Sequence, residues 1–101
     1  MKFYIKHSMT GRLRVHMDMK HMSFKQADIL EYYIKNIETV TSVKVYEKTC
    51  DAVIEFKGDK AQIINELKHF TYSQVVVPED VLNSSGREMN SYYQDKLVNK
   101  V

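Results

Sequence analysis

Apolar and polar residues alternate over two stretches near the N-terminus. Phe3, Ile5 and His7 share one parity, and Leu13, Val15 and Met17 share the same parity beyond a break at Gly11. A period of two marks a half-buried strand. The pattern predicts one strand that keeps its core side across an interruption at residues 7–14. Gly11 tolerates positive φ without steric cost, and a bulge or loop there leaves the facing unchanged. Arg12, Arg14 and His16 then line the opposite face. His7, at inward parity beside the loop, is expected to hydrogen-bond the loop backbone and hold its shape.

Further along, the period lengthens. Ser23 and Gln26 have capping-box spacing, and Ala27, Leu30, Ile34 and Ile37 follow at helical intervals, predicting an amphipathic helix of roughly four turns. The Tyr32–Tyr33 pair is expected to split, one ring packing and one exposed. Val43 and Val45 open a second strand near Thr41, and Ala52, Ile54 and Phe56 a third, joined by a polar turn at residues 48–51 into a hairpin. Asp59 caps a second helix with Ile63, Leu67 and Phe70 on one side. Tyr72 to Val77 read as a fourth strand closed by Pro78.

Strand, helix, strand, strand, helix, strand is the order of an α+β, ferredoxin-like βαββαβ two-layer sandwich. Both helices then cover one face of an antiparallel sheet, and the other face is open to water or a partner. The expected core is Ile5, Leu13, Leu30, Ile34, Val45, Ile54, Leu67 and Val75. This domain occupies residues 1–78. Residues 79–101 fall outside the pattern. Ser85 and Glu88 repeat the capping-box spacing, and Met89, Tyr93 and Leu97 form a narrow stripe, so a helical extension leading toward a membrane domain is expected.

Composition narrows the class. The chain has 101 residues, 44% hydrophobic and 28% charged, which suits one folded domain rather than a disordered segment. A net charge of +2 is too small to argue for nucleic acid or an acidic membrane. Up to residue 25, however, Lys2, Lys6, Arg12, Arg14, Lys20 and Lys25 stand against Asp18 alone, which fits a partner surface or a solvated strand face. The single cysteine, Cys50, excludes an intrachain disulfide and has no CxxC partner. No run approaches the ~18 apolar residues of a membrane span, and the first residues do not read as a signal peptide.

Candidate chemistry is sparse. The imidazole and thioether groups between His16 and Met22 suit Cu(I), and imidazole also suits Zn(II), which makes His16, Met19 and His21 the candidate metal ligands. Their spacing matches no ligand motif, and Met17 and Met22 are assigned to the core. Arg12 and Arg14 offer bidentate contacts to carboxylate or phosphate; the alternative is an exposed pair with no fixed partner. Glu31, Glu38, Glu47, Glu55 and Glu66 are scattered, and no paired acids, phosphate loop or zinc spacing stand out. No catalytic residue is identified.

The split βαβ pattern with a loop after the first strand resembles the heavy-metal-associated domains, whose loop carries GMTCxxC. Ser8 to Arg14 retain Met9 and Thr10 of that motif, while Gly11 and Arg14 stand where the cysteines belong, so no tight Cu(I) site is expected there. The chain is more similar to a branch with His-Ser-x-x-Gly-Arg-x-Arg, here His7, Ser8, Gly11, Arg12 and Arg14, found at the cytoplasmic N-terminus of bacterial heavy-metal-transporting P-type ATPases. The resemblance covers residues 3 to 78. It implies a non-catalytic regulatory or docking domain without a cofactor of its own, in a parent protein that uses ATP, Mg and a transported metal cation. Its partners would be other domains of that ATPase, not nucleic acid, and the membrane would be reached only through chain beyond Val101. Competing expectations are a stand-alone binding protein for a soft metal or small molecule, an acylphosphatase-like enzyme, and an RNA-recognition module, which the lack of an RNP signature in Asp51 to Phe56 disfavours.

Overall fold

The N-terminal alternating stretch doubles back on itself. In a computed structural model, which describes residues 1–79, β1 (Phe3–Met9) and β2 (Arg12–Met17) pair antiparallel across a turn at Thr10 and Gly11. Gly11 holds φ +76°, and a Cβ there would lie 3.4 Å from the Phe56 carbonyl oxygen. Its own carbonyl accepts a 3.0 Å hydrogen bond from the Phe56 amide. The expected single strand is therefore two.

The shared parity is real, but a bulge causes it. Near the turn Ser8 pairs with Leu13 and His7 with Arg14; the register shifts between Ile5 and His7, after which Ile5 pairs with Val15 and Phe3 with Met17. One extra residue on one strand inverts the facing of everything beyond it. Phe3 and Ile5 return to the core side, and His7 lies on the side of Arg14. His7 is exposed there, not turned in over the loop.

Both helices start as their capping residues dictate. Ser23 Oγ accepts from the Gln26 amide at 3.0 Å and Gln26 Oε1 accepts from the Ser23 amide at 2.9 Å, opening α1 (Phe24–Lys35). Asp59 Oδ1 accepts from the Ala61 amide at 3.0 Å where α2 (Ala61–His69) begins. Ala27, Leu30 and Ile34 of α1 and Ile63 and Leu67 of α2 are buried in one cluster with Leu13, Val15, Met17, Val45, Ala52, Ile54 and Phe56. Tyr32 and Tyr33 are both half-buried, but only Tyr33 packs on that cluster. Its hydroxyl donates to Glu66 at 2.9 Å, and burial followed by that bond pushes the phenol up to about 12.

β3 (Val40–Tyr46) and β4 (Asp51–Phe56) form the second hairpin, and the sheet order is β1-β2-β4-β3, antiparallel throughout. The α+β class, the four-stranded antiparallel sheet and the two helices are as expected. The element order differs: strand, strand, helix, strand, strand, helix. Residues 72–77 form no strand. Tyr72–Gln74 make a 3-10 turn, pinned by the Phe70 and Tyr72 rings at 4.7 Å. The position beside β2 is already taken by β1, so the valines that follow have no ladder to join there. Of the expected core, Leu13, Leu30, Ile34, Val45, Ile54 and Leu67 are buried. Val75 only packs against the core from outside. Ile5 is 45% exposed, because it sits on the edge strand above an apolar groove that Phe3 and Ile64 also line. The expected extension over 79–101, with Met89, Tyr93 and Leu97, lies outside the described residues apart from Glu79.

Candidate functional site: the helix-free face of the sheet

Strand alternation that buries Leu13, Val15 and Met17 sends Arg12, Arg14 and His16 to the other face. β4 does the same with Asp51, Val53 and Glu55. The register lines these residues up across the sheet. One row runs Tyr4, His16, Asp51, Tyr46, and the next His7, Arg14, Val53, Lys44. In a third, Met9 pairs with Arg12 and Arg12 with Glu55, whose carboxylate accepts from Ser42 Oγ at 3.3 Å.

Asp51 is the centre of this face. Its side chain has no exposure, and both oxygens are engaged. Oδ2 accepts from Lys6 Nζ at 3.0 Å, Arg14 Nη2 at 2.9 Å and Arg14 Nε at 3.2 Å, while Oδ1 meets His16 Nδ1 at 2.8 Å. Burial alone would raise this carboxyl, but the hydrogen bonds from His16, Arg14 and Lys6 outweigh it and hold the group at about 2. Asp51 is thus a carboxylate with three basic side chains folded over it. A buried charge persists only when paired in this way.

The flat rings are also committed. Tyr4 stacks on His16 with an interplanar angle of 11° and centroids 6.1 Å apart. Lys44 Nζ lies over the Tyr46 ring, 5.3 Å from its centroid, a cation–π distance.

The residues singled out in the sequence fare differently. Arg12, Arg14 and His7 come to the open face, with Arg14 fixed by Asp51 and Arg12 exposed. Gly11 is the turn of a hairpin rather than an interruption within one strand; the connection entering α1 follows β2, as expected. The candidate metal ligands His16, Met19 and His21 have separate surroundings. His16 Nδ1 is on Asp51, Met19 Sδ accepts from the Tyr72 hydroxyl at 3.6 Å, and His21 is exposed. Among the described residues, no three His, Cys, Asp or Glu side chains converge as a metal site. Cys50 is buried at φ +58° in the second hairpin turn, and burial and then the neighbouring Asp51 charge push its thiol up. Such a thiol is poorly suited to nucleophilic chemistry.

Sequence reading missed Asp51 because it looked like the end of a polar turn. The available signal was its parity: it shares a face with Val53 and Glu55, opposite a row of bases on β2. Only the β2–β4 register turns that hint into a contact. No protein-family model matches the chain, and no curated protein or solved structure matches it.

Proposed function

We propose that this domain is a non-catalytic docking or regulatory module whose helix-free sheet face is the contact surface. We place it at the cytoplasmic N-terminus of a heavy-metal cation-transporting P-type ATPase. The observation that carries the docking reading is Asp51, a fully buried carboxylate that holds Lys6, Arg14 and His16 in place on an otherwise open face. Idle surface cations do not need a buried anchor; a surface that must present them in fixed positions does. The transporter assignment rests on the His7–Arg14 resemblance. The sheet order is compatible with a ferredoxin-like sandwich in which the N-terminal strand fills the edge place otherwise left to the last strand.

Docking would regulate the parent by differential contact: the conformation that the domain binds better is the one it populates. The test is Arg12→Glu with Lys44→Glu in the intact protein, two positions on the face that do not touch Asp51. Metal-stimulated ATP hydrolysis should change several-fold while the melting of the isolated chain stays put. Unchanged hydrolysis removes the docking reading. A native stop codon directly after Val101 removes the transporter and leaves a stand-alone binding protein.

A further inference from the structure

We infer that the occupant of the open face is an acidic, extended peptide segment, a conclusion that rests on the docking reading and names its partner's chemistry. Charge complementarity carries it. Lys6, Arg12, Arg14 and Lys44 stand on this face, and of its two acids Asp51 is buried and already paired, leaving only Glu55 exposed. The anchor does not exhaust its partners. Arg14 gives Nε and Nη2 to Asp51 and Lys6 gives one hydrogen bond, so guanidinium and ammonium donors remain for a ligand. These cations come from three strands of a sheet whose neighbours are ~4.8 Å apart. Such a spread suits several carboxylates on one chain rather than a single small anion.

The same face argues against single-stranded nucleic acid, the other polyanion to consider. Recognition of that kind needs aromatic faces free for base stacking. Here the rings are on the two edge strands, and each already has a face covered, Tyr4 by His16 and Tyr46 by Lys44. On the central strands the ring toward the open side is the His16 imidazole, stacked on Tyr4 and bonded to Asp51.

The measurement is fluorescence anisotropy of the full chain with a labelled peptide of alternating Glu and Ser, and in parallel with a labelled oligothymidylate. The peptide should bind saturably at low salt and weaken steeply as added salt screens the charges. Arg12→Ala with Lys44→Ala should weaken it roughly tenfold. Asp51→Asn is the sharper variant. It raises the net charge by one, so attraction by charge alone would tighten binding; an organised surface loses the anchor of three cations and binds more weakly. Tighter binding by a folded Asp51→Asn chain overturns the organised surface. Absence of peptide binding, or stronger binding of the oligonucleotide, overturns the acidic-peptide assignment. If Asp51→Asn does not fold, the Arg12/Lys44 pair decides, with undiminished binding counting against the proposal. Loss of the peptide result with a persisting hydrolysis effect in the intact protein would mean that docking stands and the partner's chemistry is wrong.

Discussion

β2 and β4 present two faces built on opposite plans. Toward the helices they offer Leu13, Val15, Met17, Ala52, Ile54 and Phe56, all buried, and every one of these side chains is supported by many equivalent neighbours. Toward solvent they offer Arg12, Arg14, His16, Asp51, Val53 and Glu55, and there the arrangement hangs on a single carboxylate. Burial of apolar area is non-directional and spread over the cluster, whereas a hydrogen-bonded charge is directional and has no substitute. One face gives the domain its stability, and the other gives it a defined pattern of charge.

The largest effect should come from the dry side. Ile54→Ala removes a fully buried side chain and should cost about 2–5 kcal/mol in urea unfolding, as truncations that leave a cavity do. A smaller loss would mean that the two faces are less unequal than their packing indicates.

Asp51→Asn should come next, at roughly 2 kcal/mol, discounted because its partners are a third to a half exposed and screened by solvent. Its pH signature is the clearer readout. The folded carboxyl, at about 2, lies below the ordinary 3.8, so its contribution is complete above 3.8 and is lost as pH falls from there toward about 2. Acid titration of stability should show that fall in the parent chain and lack it in the variant; identical curves would assign the acid sensitivity to other groups.

Gly11→Ala probes the turn that brings the two faces into being. With φ at +76° and the Phe56 carbonyl oxygen 3.4 Å from the new Cβ, a cost of about 1 kcal/mol is expected in thermal unfolding. The smallest effect belongs to Arg12→Ala, exposed and outside the Asp51 cluster, which should stay within about 0.5 kcal/mol by the same measure.

These contrasts also explain what was readable beforehand. The helices were legible because Ser23, Gln26 and Asp59 write their starts locally, and the odd-numbered positions of β2 and the even-numbered positions of β4 carry the core in plain alternation. The hairpin was not, because the bulge between Ile5 and His7 restores the parity that a reversal near Gly11 would otherwise break. The strand expected over 72–77 has suitable residues, but strand formation depends on a free partner, and β1 had taken the place. Arg12 and Arg14 were legible as a charged row. Asp51, which turns Arg14 from a solvated side chain into a fixed one, depended on long-range register that no local pattern records.

The N-terminal hairpin also bears on the order in which the domain is assembled. All four strands lie within residues 3–56, and α2 and the 3-10 turn follow them in the chain. Two of the three ladders are local hairpins, whose closure costs little chain entropy, and only β2–β4 pairing must bridge α1 and β3. A growing chain therefore holds every strand of the sheet before α2 has been synthesised. An edge strand drawn from residues 72–77 would instead leave β2 unpaired on one side until α2 had been synthesised. Supplying that edge first shortens the interval in which an unpaired ladder is exposed to neighbouring chains.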